Sequence, residues 1–236
     1  MGKIPLFIKA LVKLFITHLA LFFVVRLVFV ISNLVLIKGV ELPKGLILQI
    51  FWLGLRFDTT VLCYVFILPF LFLFIDEVFK TNLLYKPSVI YLKIILSLAL
   101  FISCADIPYY IQFQKHLSKE AFVWINQGTL SLKLIISDFS YWGYILLGIP
   151  LMYVSLKSVT YFLKKDIIFY TDKKYSIIFF LLGALFLFVG MRGRLSGKTP
   201  IHNGLAYISD NMLINQTGLN ANFTLLKTFL DNHERK

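Results

Sequence analysis

The chain has 236 residues, of which 58% are hydrophobic, 17% aromatic and only 15% charged. Those proportions exclude an ordinary water-soluble domain and make the bilayer the medium that covers most of the surface. The net charge of +12, from 24 basic and 12 acidic residues, does not call for nucleic acid, because the lysines gather in short clusters beside apolar runs, where anionic lipid headgroups are the expected partner.

The fold class expected is an all-α integral membrane protein with five transmembrane helices, interfacial amphipathic helices and a short extracytoplasmic tail. The first apolar run, 14–37, is interrupted by His18 and Arg26. At 1.5 Å per residue it can cross a hydrocarbon layer about 30 Å thick. It exceeds a secretory h-region of about 7 to 15 residues and so reads as an anchor. The second run, 45–75, is longer than the roughly 20 residues a span requires, so it tilts or begins in the interface. Its polar interruption from Arg56 to Thr60 is read as the membrane boundary. The third, 88–113, carries Lys93, Asp106 and Pro108, and Pro108 disfavours helical geometry at Ile107, which predicts a helix end or kink there. The fourth, 141–163, contains Pro150, expected to bend it. The fifth, 175–191, is the shortest and most uniformly apolar.

The basic residues Lys3, Lys9 and Lys13, then Lys80 and Lys86, then Lys164, Lys165, Lys173 and Lys174 flank the spans on one side, which is therefore expected to be cytoplasmic. Five spans then put the C-terminal tail on the other side. The connection 114–140 mixes Phe122, Trp124, Ile125 and Leu134 with charges. It is read as one or two amphipathic helices in the outer interface, with a re-entrant packing element as the alternative. Cys63 and Cys104, inside apolar runs, read as packing residues. Phe is used 24 times and small residues are few, so helix contacts are expected to rest on bulky side chains and buried polar groups.

The tail, 192–236, changes character: Arg192-Gly193-Arg194 leaves the membrane, Gly197 and Pro200 break structure, and Asn203, Asn211, Asn215, Asn220 and Asn222 alternate with apolar residues. Residues 219–230 are expected to form a short amphipathic helix with Asn220 or Asn222 near its start. A segment this small does not fold well alone, so it must dock on the membrane domain or continue into something larger.

No nucleotide loop, nucleophile elbow or zinc motif occurs. The histidines His18, His116, His202 and His233 lack metal-ligand spacing. Asn215-Gln216-Thr217 and Asn222-Phe223-Thr224 match a glycosylation pattern that arises readily by chance. Arg56, Asp58, Asp106, Arg192 and Arg194 are left as candidate site residues, because alternating helix direction brings all of them toward one depth in the outer half. Arg offers phosphate a planar two-donor fork, and a nearby carboxylate holds that fork in place. Two readings stay open: a lipid-headgroup site, or a lattice of internal salt bridges, since a membrane-buried charge must be paired whatever its role.

Gly54-Leu55-Arg56-Phe57-Asp58 in a second span, Asp106 and Tyr109-Tyr110 ending a third, and Arg192-Gly193-Arg194 followed by Pro200-Ile201 and Asn203-Gly204-Leu205-Ala206-Tyr207-Ile208-Ser209 together resemble the amino-terminal membrane region of lipoteichoic acid synthase-like phosphoglycerol transferases. These belong to the sulfatase and alkaline phosphatase superfamily. The stretch 211–229 is similar to the juxtamembrane segment of Bacteroidetes-type members. The resemblance implies a five-span module in a bacterial cytoplasmic (inner) membrane. It is joined in cis or trans to an extracytoplasmic catalytic domain, where a threonine nucleophile and a divalent metal would transfer a lipid headgroup. That domain lies outside these residues, so no catalytic residue, cofactor or metal ligand is carried over to this chain. The contrasting expectation is a small transporter or channel-like protein, for which broken helices and intramembrane charges are equally natural. Against it stands the lack of an internal repeat.

Overall fold

Pro5 sets the start of the first helix: its ring is compatible with a first helical turn, and its carbonyl accepts from Lys9 N at 3.2 Å. In the computed structural model, residues 4–33, 44–118, 120–121, 139–164, 173–194 and 198–233 are described. Helix α1 covers Leu6–Ser32, α2 Lys44–Phe79, α3 Tyr85–Phe113, α4 Trp142–Phe162 and α5 Lys173–Arg192, with a 3-10 turn at Phe139–Tyr141 before α4. The tail contributes a 3-10 turn at Asn203–Ala206 and two helices, α6 at Met212–Thr217 and α7 at Ala221–His233. Helices α1 to α5 are long and apolar enough to cross a membrane, and the described residues form an all-α membrane protein.

Several boundaries differ from the sequence expectation for identifiable reasons. Helix α1 begins at Leu6, eight residues before the apolar run, because Lys9 and Lys13 lower hydropathy without impeding helical backbone. Helix α2 passes unbroken through Arg56 to Thr60, since helical hydrogen bonds are made within the segment whatever the side chains carry. Pro108 does not end α3, which continues to Phe113; a span tolerates Pro where neighbours satisfy the freed backbone group. Pro150 likewise lies inside α4. The expected interfacial helices of 114–140 fall largely outside the described residues.

Helix ends are closed by left-handed residues. Lys80 (φ 54°) and Gly193 (φ 64°) follow α2 and α5, and Thr81 N donates to Asp76 O at 3.0 Å in the manner of a Schellman cap. The Asp76 carboxylate also accepts from Thr81 Oγ1 at 2.6 Å and Leu84 N at 3.0 Å, fixing the short α2–α3 connection.

The described contacts divide into two units. In the first, Met1–Leu21, Asp58–Leu98 and Met152–Pro200, aromatic rings supply much of the packing, since lipid removes the hydrophobic drive between helices. Phe15 meets Phe66 and Phe186 edge-on at 5.5 and 5.6 Å, and Phe180 stacks on Phe70 and Phe74. Small residues still matter here, contrary to the expectation from composition. Gly183 and Gly190, one heptad apart on α5, let α2 approach: a Cβ at Gly183 would lie 2.7 Å from the Phe70 ring, and one at Gly190 would collide with Cys63 Sγ. Thr60 Oγ1 donates to Gly190 O at 3.0 Å in the same contact. Buried His18 donates from Nδ1 to Leu14 O at 2.8 Å, so that Nε2 accepts from Ser155 Oγ at 2.9 Å.

Candidate functional site

In the second unit, Phe22–Phe57, Ala99–Leu151 and Ile201–Lys236, the tail is folded against membrane helices, and its buried polar groups define the site. Every residue from Leu213 to Ala221 is buried. Such a segment needs a partner for each buried polar group. Asn211 caps α6 by accepting from Ile214 N at 3.2 Å. Asn215 closes the preceding loop, accepting from Ile208 N and Ser209 N and donating to Ser209 O at 2.7 Å. Asn220 caps α7 by accepting from Asn222 N at 2.9 Å.

At the carboxyl end of α6 the Asn215 and Gln216 carbonyls accept from Gly218 N at 3.3 Å and Leu219 N at 3.0 Å, and this end carries negative partial charge. Two nitrogen-donor side chains meet it. Arg26 of α1, only 6% exposed, donates from Nη1 to Thr217 O and to Leu219 O at 2.9 Å, and from Nη2 to Gly54 O at 3.1 Å. His116, just beyond α3, donates from Nε2 to Gln216 O at 2.9 Å and shares a 2.6 Å contact between Nδ1 and Asp106 Oδ2. Leu117 N donates to the other Asp106 oxygen at 2.6 Å.

The proton count of the Asp106–His116 pair follows from its partners. A backbone carbonyl only accepts, so Nε2 must carry hydrogen. A bond across Nδ1 and Oδ2 then needs a second proton, whichever of the two atoms holds it. Burial by itself would lower the His116 pKa, but the Asp106 charge, the hydrogen bond to it and the Gln216 carbonyl raise it overall, with the Arg26 charge acting against them. The ring is further held by stacking on Phe29 at 5.4 Å.

Gly54 owes its identity to this site. The Arg26 guanidinium lies so close that a Cβ on Gly54 would stand 2.6 Å from Nε and Nη1. Farther along, Asn222 donates from Nδ2 to Ala99 O at 3.0 Å and Ser103 Oγ at 2.8 Å on α3. Phe223 meets Phe57 of α2 edge-on at 4.9 Å. Asn215 and Asn222, the two residues of the glycosylation pattern, thus both have structural partners.

The sequence-predicted candidates divide between the units. Arg56 and Asp106 fall in the second, and Asp58, Arg192 and Arg194 in the first. Asp58 and Asp106 are buried, whereas Arg56, Arg192 and Arg194 are half-buried. Asp106 receives donors from the protein itself, which suits the structural reading of that residue. Arg192 donates to Lys198 O at 3.5 Å. Sequence reasoning passed over Arg26 and His116 as site residues. For Arg26 the signal was present, since an Arg inside an apolar run must find partners, but two of its three carbonyl acceptors lie 191 and 193 residues away. Among the described residues, no group of His, Cys, Asp and Glu side chains could hold a metal ion. No protein-family model matches the chain, and no curated protein or solved structure matches it.

Proposed function

We propose that this chain is the membrane-anchoring module of a sulfatase-family phospholipid headgroup transferase of the phosphoglycerol type, without catalytic activity alone. The observation that carries the reading is the tail: a segment that is folded, capped at both helices and tied to α1, α2 and α3 is a rigid mount for a domain working at the membrane surface. The resemblance of Gly54 to Asp58, Arg192 to Arg194 and 200–209 to the membrane region of such enzymes supplies the chemistry expected of that domain. In this reading the domain is contributed in cis or trans and brings its own divalent metal. The module sits in a bacterial cytoplasmic membrane with its N-terminus cytoplasmic and its tail extracytoplasmic, as the flanking lysines suggest. Arg192 and Arg194, half-buried at the end of α5, are the guanidinium groups assigned to an anionic headgroup. Their paired donors match phosphate oxygens.

Expression in membranes with and without any sulfatase-type catalytic domain encoded beside it, followed by mass spectrometry of phospholipid headgroup transfer, tests the proposal. Transfer only when both are present is expected, together with phosphatidylglycerol binding that weakens on Arg192→Ala. Transfer by neither combination, with no lipid retained by the purified chain, overturns it.

A further inference from the structure

The contacts of the tail can be ordered by depth. Gln216 is held by His116 beside Asp106, about 10 Å from the end of α3 at 1.5 Å per residue. Thr217 and Leu219 are held by Arg26 together with Gly54, and Gly54 lies about 15 Å inside α2. Asn222 and Phe223 reach farther still. Phe57 is about 20 Å inside α2. Ala99 is the central residue of the 29-residue helix α3, about 21 Å from either end. A hydrocarbon layer about 30 Å thick has its midplane about 15 Å from each boundary. The chain therefore descends with residue number, from the end of α3 to its middle.

We infer that residues 212–230 form a re-entrant element within the bilayer, and that the apolar stripe Leu226, Phe229 and Leu230 on α7 faces lipid acyl chains. This inference is independent of the transferase reading. Three features agree with it. Non-helical backbone at membrane depth is tolerated where it is buried in protein or lines a water-filled cavity, and the α6–α7 turn at Gly218 to Asn220 is buried, with its Leu219 carbonyl bound by Arg26. The amides that descend deepest, Asn220 and Asn222, have protein partners. Leu226, Phe229 and Leu230 are 51%, 43% and 55% exposed at helical spacing, which water would penalise and hydrocarbon would not. Acyl chains are the occupant because α7 begins where the centre of α3 already is, at a depth where lipid borders whatever protein leaves open.

Single cysteines at Leu226, Phe229 and Leu230, with Ser209→Cys as the aqueous reference, are to be spin-labelled in the full chain and reconstituted in phosphatidylglycerol-containing vesicles. Collision rates with dissolved oxygen, which partitions into hydrocarbon, and with a water-soluble nickel chelate then report the surroundings. High oxygen and low nickel access at 226, 229 and 230, with the reverse at 209, is the expected result. Nickel access at the three sites equal to that at 209 would place α7 in water and overturn the inference. Low access to both quenchers would mean a protein cover and would overturn it equally. As a check that requires no label in the protein interior, Leu226→Cys should react with a membrane-impermeant maleimide at least about tenfold more slowly than Ser209→Cys, since one unit of pKa elevation in an apolar setting already removes nine-tenths of the thiolate. The wild-type chain serves as the blank, because Cys63 and Cys104 are buried.

Discussion

Arg26 shows what a single charge at membrane depth requires and what it can accomplish. Its fork spans Thr217, Leu219 and Gly54 carbonyls, so one side chain of α1 both terminates α6 and attaches the tail. Hydrogen bonds to charged groups contribute about 1.5–3 kcal/mol each. Arg26→Ala is accordingly expected to weaken tail docking by about 3–5 kcal/mol, read as lost hydrogen-exchange protection over 213–224. Arg26→Lys should recover only part of it, because a point charge cannot reproduce the fork. Gly54→Ala tests the same contact without touching charge: the added Cβ collides with the guanidinium, and a loss of about 1–3 kcal/mol is expected from overpacking. Unchanged protection in Gly54→Ala would show that the guanidinium does not lie on Gly54. His116 gives the attachment a pH dependence whose sign is set by its raised pKa. With the docked-state pKa above the ordinary value of 6.5, the contribution is complete below about pH 6.5. It is lost as pH rises through the elevated value. Exchange protection of 212–219, corrected for intrinsic rates, should therefore fall toward alkaline pH in the wild type, whereas His116→Gln should be weaker throughout and lose that slope. A flat wild-type profile would contradict the two-acceptor geometry.

At the scale of elements, α6 and α7 are too short to persist on propensity alone and depend on caps and docking side chains. Asn222 is the most informative of these, because its amide joins the first turn of α7 to Ala99 and Ser103 on α3. Asn222→Ala should release α7 at a cost of about 1–3 kcal/mol, and Asn220→Ala should cost about 1 kcal/mol through the lost cap. Limited proteolysis between Ala221 and Lys227 would reveal the order. The existence of these helices was legible in part: residues 219–230 carried helical spacing and the capping asparagines stood at the right place, against an observed Ala221–His233. The five spans were legible because hydropathy over some twenty residues integrates to a strong signal. Their ends were not, since hydropathy at α1 declines at Lys9 and Lys13 whereas the helix is set by Pro5. The partners of Arg26 were beyond reach for another reason. Nothing local distinguishes the carbonyls of Thr217 and Leu219 from any others, and only the fold brings them to α1.

For the molecule as a whole, polar residues are distributed as joints. Asp76 fixes a helix connection, Thr60 ties α2 to α5, and Arg26, Asp106 and His116 bind the tail. The tail is consequently not an appendage to its membrane helices but a part of the structure that makes their charges tolerable. Deleting 201–236 should reveal this. An independent tail could be removed with little effect on what remains. Here its removal takes the Thr217 and Leu219 carbonyls from Arg26 and the Gln216 carbonyl from His116. It also leaves Phe57 without Phe223. Of the Thr217, Leu219 and Gly54 carbonyls, Arg26 then keeps only that of Gly54; a charge in hydrocarbon costs about 2.5–3.5 kcal/mol on insertion scales, and the vacated volume adds a packing loss. The chain ending at Pro200 is therefore expected to lose several kcal/mol and to elute from detergent as aggregate or unfold at lower temperature than the full chain. Adding Arg26→Leu to the shortened chain should restore part of the loss, because the charge stripped of two of its acceptors is gone, whereas the same substitution in the full chain should destabilise. That reversal of sign, measured by thermal unfolding of four variants in one detergent, distinguishes a tail that solvates the buried arginine from a tail that merely rests beside it.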